Sequence, residues 1–137
     1  MVFSRGSSFF KLGMLSIMML MIISLKSAYA QLDLSTEILE SLRSGQAKNI
    51  SKHFNTNVSL SLKNDAGFYS KFQGEMILSD FFRSNRISEV KLIQRTNKSN
   101  NSYYMVCQLK ANHKGYRVFV KFNILDGESK ITELRIE

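Results

Sequence analysis

Beyond residue 32 the spacing of apolar positions changes several times, and each change marks an element. Over residues 33–46 Leu34, Ile38 and Leu42 recur four apart with Leu39 beside them, while Glu37, Glu40 and Arg43 fall on the other side. That period predicts an amphipathic helix, opened by Asp33 or Ser35 as a cap and stopped by a left-handed Gly45. A short second helix is expected over 47–54, its apolar side made of Ile50 and Phe54, with Asn55-Thr56-Asn57 breaking it. Residues 58–63 (VSLSLK) switch to period two, the mark of a half-buried strand, and Asn64 to Gly67 has turn composition. Ser70 and Gln73 stand at capping-box spacing and open a third helix to about residue 85. Its predicted buried stripe is Phe72, Met76, Ile77 and Phe81 or Phe82. Gly74 inside it costs about 1 kcal/mol of helix propensity and leaves a gap for another side chain.

From Ser88 onward the pattern is that of four strands, at residues 89–96, 102–111, 116–125 and 131–136, separated by short polar connections. Parallel neighbours need a long crossover, so these strands are expected to pair antiparallel as a meander. Helices ahead of a meander predict an α+β layer fold in one domain, three helices from the N-terminal half covering one face of the sheet. Alternation puts Val90, Leu92, Tyr103, Met105, Cys107, Leu109, Val118, Val120, Phe122, Ile124, Leu134 and Ile136 on the helix-facing side. The opposite parity carries Lys91, Ile93, Arg95, Tyr104, Val106, Gln108, Lys110, Arg117, Phe119 and Lys121.

Residues 1–30 read differently. Arg5 and Lys11 make a basic start, residues 12–25 (LGMLSIMMLMIISL) are almost wholly apolar, and Ser27 to Ala30 end in a small-x-small pattern. This is the layout of a secretory signal peptide, with cleavage expected after Ala30, a single domain over 31–137, and a periplasmic or extracellular product. As a helix the apolar run spans about 21 Å, short of the roughly 30 Å hydrocarbon core. No stable membrane anchor is therefore expected after cleavage, and Gln31, not Cys, would follow the cut. The whole chain has 137 residues, 19 Lys+Arg against 11 Asp+Glu and a net charge of +8. Losing Arg5, Lys11 and Lys26 leaves the remainder still basic. One cysteine excludes an internal disulfide and a Cys-cluster zinc site. Outside the leader only Met76 and Met105 remain, too few for a methionine-rich metal site. Neither a metal nor any other cofactor is expected.

The element order and several segments resemble a known family. These are residues 42–55 (LRSGQAKNISKHFN), 68–82 (FYSKFQGEMILSDFF), 115–124 (GYRVFVKFNI) and the ending ITELRIE. The order is similar to the nuclear transport factor 2-like superfamily, with the cystatin-like, cone-shaped α+β fold of scytalone dehydratase and ketosteroid isomerase. More closely, residues 34–137 resemble an uncharacterised exported Bacteroidetes family, domain of unknown function 4783. The resemblance implies a curved antiparallel sheet. It implies no reaction, because the superfamily hosts enzymes and non-enzymes alike. Gly74 departs from it, since alanine is expected after the glutamine.

Superfamily enzymes place an acidic residue or histidine inside the cone. His53, with a pKa range suited to proton transfer, is one weak candidate here and Tyr69 the other; a solvated helix-end histidine is the plainer reading. His113 sits in a polar turn. Glu75 and Asp80, five apart on a helix, point different ways. No Asp, Glu or His occupies an inward strand position, so the pocket, expected around Tyr69, Phe72, Tyr103 and Met105, suits packing or a small apolar ligand. Cys107 between Met105 and Leu109 reads as a buried, inert thiol. Lys91, Arg95, Arg117, Phe119 and Lys121 mark a partner face on the outer side of the sheet. That face suits a homodimer seam or an anionic envelope component, though an ordinary solvated surface is the plainer alternative. An exported protein rarely meets nucleic acid, so none is expected despite the basic charge. The expectation is a non-enzymatic binding or interaction module of the bacterial envelope. The alternative is an isomerase- or dehydratase-type enzyme using His53 or a pocket tyrosine on a small apolar ligand.

Overall fold

The computed structural model describes residues 5–137, with side chains for residues 8–21 and 34–137. The chain divides into two compact units, Met1–Leu34 and Ser35–Glu137. The first is helical from Arg5 onward; the side chains of its apolar residues between 9 and 21, Leu12, Leu15 and Ile17 among them, are exposed, whereas Leu34 is buried. The side chains of residues 22–33, including the expected cleavage position, lie outside the described ones. No helix among the described residues is long and apolar enough to cross a membrane.

In the second unit, α1 (Arg5–Ser44) ends where Gly45 takes a φ of +66°. The Gly45 amide donates to the Leu42 carbonyl at 3.2 Å and the Gln46 amide to the Ser41 carbonyl at 2.9 Å, the paired bonds of a glycine stop. Neither Asp33 nor Ser35 opens this helix, because both lie inside it. The second helix, α2 (Ala47–Ser51), is shorter than its period predicts. Phe54 is buried as expected, but it opens β1 (Phe54–Leu62), and Asn55-Thr56-Asn57 lie in that strand. Pairing overrides their turn propensity: Asn57 lies opposite Ser70. The strand β2 (Asp65–Ser70) replaces most of the expected turn. Only Lys63 and Asn64 make the reversal, Lys63 with a φ of +55° and Leu62 paired to Asp65.

Ser70 caps α3 (Lys71–Ser84) through the complete capping box with Gln73. The buried side of this helix is Gly74, Leu78 and Phe81, rotated from the expected stripe; Phe72 is 70% exposed and Met76 49%. The rotation has a local cause. A Cβ on Gly74 would stand 2.9 Å from Cε2 of Phe54, so the helix lays its glycine against the Phe54 ring, which fills the gap the glycine leaves.

The meander forms as predicted: β3 (Ile87–Ser99), β4 (Ser102–Ala111), β5 (Lys114–Leu125) and β6 (Glu128–Ile136) pair antiparallel in sequence. Asn112 and His113, and then Asp126 and Gly127, all have positive φ, the backbone of two-residue hairpins whose twist matches their strands. The first strand joins the far side of β6 in parallel, giving one six-stranded sheet in the order β2-β1-β6-β5-β4-β3. The sheet is curved and unclosed, with helices on one face, an α+β arrangement. Its core is Met105, Cys107, Leu109, Val118, Val120, Phe122, Leu134 and Ile136 under Ile38, Leu42, Ile50 and Leu78, all buried. An extra residue in β6 lets Ile131 and Leu134, three apart, both face inward, since Lys121 pairs Glu133 while Phe122 pairs Ile131.

Candidate functional site

The helix-facing side of the sheet differs from the alternating pattern at one place. Along β3, Leu92 pairs Cys107 and Gln94 pairs Val106, so Ile93 is an extra residue and the parity beyond it reverses. Arg95 therefore lies opposite Met105. Expected on the outer partner face, it belongs to the helix-facing side instead. Its guanidinium carbon is 4.7 Å from the centre of the Tyr103 ring, and its Nε donates to Ser35 Oγ at 3.2 Å. Tyr103 in turn stacks on Phe122, with centroids 4.6 Å apart and planes 10° from parallel. The Tyr103 hydroxyl is buried and has no hydrogen-bond partner among the described residues. Leu92, expected in the core, is 46% exposed; β3 is the outermost strand on its side of the sheet. The only sequence signal of this bulge is the adjacent apolar pair Leu92-Ile93 in an otherwise alternating run.

His53 lies between α2 and β1. Its backbone carbonyl accepts from the Ile131 amide at 2.7 Å, and its Nε2 is 3.2 Å from Glu37 Oε1. Lys52 pairs with the same carboxylate oxygen. The hydrogen bond from Lys52, aided by His53, holds the Glu37 carboxyl below its usual range against an opposing desolvation effect. The sequence marked His53 but not this partner, which sits 16 residues away on another helix. Glu75 and Asp80 do point apart: Glu75 accepts from Ser51 Oγ at 3.0 Å, whereas Asp80 pairs with Arg83 at 3.3 Å.

Tyr69 is half-buried and lines a groove of about 390 Å³ with Leu60, Leu62, Ile77, Asp80 and Phe81. The other residues expected beside it are elsewhere. Phe72 projects from the first turn of α3, while Tyr103 and Met105 lie in the core on β4. Phe68 of β2 is 83% exposed and, with Phe72 and Met76, leaves large apolar side chains in water on β2 and α3.

On the outer face, Lys91 and Lys110 both pair with Glu89, at 3.1 and 3.2 Å. Their hydrogen bonds, Lys91 first, hold that carboxyl below its usual range. Phe119 is the centre of the face. Tyr104 lies 5.3 Å from it between centroids, and the Arg135 guanidinium covers its ring at 4.4 Å. Arg135 is oriented by Glu133 at 3.1 Å. A depression of about 410 Å³ beside them is walled by Ile93, Gln94, Val106, Arg117, Phe119, Arg135 and Glu137. By register Arg117, Phe119, Lys121 and Lys91 share this face of the sheet; Arg135 joins them through a parity that alternation on β6 already implied.

Burial pushes the Cys107 thiol up to about 11, slightly offset by Arg43, a setting that suppresses thiolate chemistry. Among the described residues no group of three His, Cys, Asp or Glu side chains could hold a metal ion.

The family model described as Domain of unknown function (DUF4783) matches residues 35–137. The chain belongs to this family. Among solved structures, a DUF4783 family protein from Bacteroides uniformis superposes with a TM-score of 0.70 at 18% identity, covering 74% of this chain and 94% of that one. A protein described as a domain of unknown function with a cystatin-like fold, from Nostoc punctiforme, has a TM-score of 0.63 at 8% identity, covering 81% and 76%. A putative polyketide cyclase from Sinorhizobium meliloti gives 0.59 at 10% identity, covering 77% and 94%. At these identities the likeness shows the fold, which is nuclear transport factor 2-like, and not an activity. No curated protein matches the sequence.

Proposed function

We propose that this DUF4783 protein is an exported, non-enzymatic binding module of the bacterial envelope that works through the outer face of its sheet as a homodimer. The observation that carries the reading is the contrast between the two faces. The centre of the helix-facing side is filled by Met105, Cys107, Leu109, Val118, Val120 and Phe122, all buried, leaving little room among them for a substrate to be enclosed. The outer side offers the depression beside Phe119, walled by the apolar Ile93, Val106 and Phe119, by Arg117 and Arg135, and by Gln94 and Glu137. Apolar and arginine side chains around a concavity are the composition of an interface centre, and Lys121 and Arg117 at its side suit anionic groups of the envelope. Light scattering on the protein as the native cell exports it tests this: wild type is a dimer and Phe119→Asp a monomer. A wild-type monomer at high concentration ends the dimer reading. Sequencing the N-terminus of that same material tests export, with Gln31 as the expected first residue.

One observation favours a second reading, acid–base catalysis: the 3.2 Å approach of His53 Nε2 to Glu37 Oε1, which brings an imidazole and a carboxylate within reach of each other without the alignment of a hydrogen bond. Against it, the same oxygen is shared with Lys52, and Tyr69 lines a groove whose wall does not include His53. Proton exchange at the α-carbon of small ketones, measured with wild type and His53→Gln, separates the two. Exchange lost only in the variant establishes the catalytic reading.

A further inference from the structure

The reversal of parity at Ile93 leaves Arg95 on the helix-facing side with little of its bonding capacity used. A guanidinium carries five N–H donors in a planar fork. Here Nε is spent on Ser35 Oγ at 3.2 Å, and one face of the group lies over the Tyr103 ring at 4.7 Å. Among the described residues no Asp or Glu pairs with Arg95. Beside it, Tyr103 is only 2% exposed and its hydroxyl has no partner among the described residues. A buried hydroxyl left unpaired is costly and is rarely retained without a use. Arg95 itself is half-buried, so solvent reaches it.

We propose that Arg95, Tyr103 and Ser35 form a recognition site for a carboxylate. The Nη edge of the guanidinium presents two parallel donors that match the two oxygens of a carboxylate. The Tyr103 hydroxyl supplies a further donor, and the ring stack on Phe122, with Ser35 on Nε, holds the fork in place. The only other Lys or Arg with inward pairing on β3, β4 or β5 is Lys114, exposed at the hairpin end of β5 opposite Ala111, so a single cation stands beside Tyr103, which suits a monoanion. Because Met105 and Phe122 behind it are fully buried, recognition is confined to the acid group. The site lies on the opposite side of the sheet from Phe119 and does not depend on the proposed dimer.

The test is NMR titration of the protein as the native cell produces it. The probes are sodium acetate, a tripeptide with a free C-terminus, the same tripeptide amidated, and sodium phosphate, at matched ionic strength. Acetate and the free-acid tripeptide shift the Arg95 Nε and Tyr103 ring resonances saturably; the amide does not. Tighter binding of the tripeptide than of acetate identifies a peptide terminus as the source, and equal binding a small acid. Arg95→Gln weakens binding by about tenfold or more, and Tyr103→Phe, which keeps the ring and serves if the first variant does not fold, weakens it several-fold. Absence of saturable binding by either carboxylate, undiminished binding by both variants, or phosphate binding as tightly as acetate would overturn the proposal.

Discussion

Replacing Gly74 by alanine sets a local preference against a tertiary contact, and the structure says which prevails. In an isolated helix the change gains about 1 kcal/mol. In this protein the new Cβ would stand 2.9 Å from Cε2 of Phe54, 3.2 Å from its Cδ2 and 3.2 Å from Cγ1 of Val58. Both neighbours are buried, and the offending atoms belong to a ring and a β-branched side chain, not to the free end of a flexible one. Overpacking of this kind costs about 1–3 kcal/mol, so the net effect is destabilisation of roughly 0–2 kcal/mol. Urea unfolding followed by circular dichroism reads it as a lower midpoint with an unchanged slope. The contact itself is isolated by Phe54→Leu. Alone that change leaves a cavity; combined with Gly74→Ala it makes room for the methyl, so the two should couple favourably by at least about 0.5 kcal/mol. If Gly74→Ala instead raises stability by the full helix-propensity gain, α3 does not approach β1 this closely, and the account of why its buried stripe is rotated fails.

The same rotation predicts unequal costs along α3: Leu78→Ala loses about 2–5 kcal/mol, while Phe72→Ala stays within about 0.5 kcal/mol, both read by urea unfolding; equal costs would restore Phe72 to the core. Because the Glu37 carboxyl is held below its ordinary range by Lys52, its contribution is complete above about pH 4.5 and fades as pH falls through the lowered value. Glu37→Gln should therefore lower the melting temperature at pH 6 and converge with wild type near pH 2. A constant difference across that range would show that Glu37 acts by something other than its charge. With burial raising its pKa to about 11, Cys107 should resist a thiol-specific disulfide reagent at pH 8 in the folded protein and react fully in guanidinium; rapid reaction of the folded protein would contradict its burial.

Local pattern was enough for much of the fold. The apolar four-residue period of Ile38 and Leu42, the glycine stop at Gly45 and the Ser70–Gln73 box depend on residues close in sequence, and each is found where the pattern puts it; the last two hairpin turns fall within the expected connections but are shorter, because β5 begins at Lys114 and β6 at Glu128. Strand alternation through β4 and β5 likewise assigns faces correctly, because no bulge interrupts their pairing with each other. Of the candidate site, alternation grouped Lys91, Arg117, Phe119 and Lys121 on one face, and chemistry singled out His53.

What the chain alone could not disclose depends on partners distant in sequence. The extra residue at Ile93 is defined by β4, and it moved Arg95 from the outer face to the side of Tyr103. The rotation of α3 is set by a ring on β1, and the partner of His53 comes from α1. The Asn55-Thr56-Asn57 turn signal yielded to a strand held at Asn57 by Ser70 of β2 and on either side of the segment by β6, which pairs Phe54 and then Ser59. A period of two or four constrains a residue only against its near neighbours. Register, helix rotation and side-chain partnership are choices among arrangements of nearly equal local energy, and packing between elements makes them.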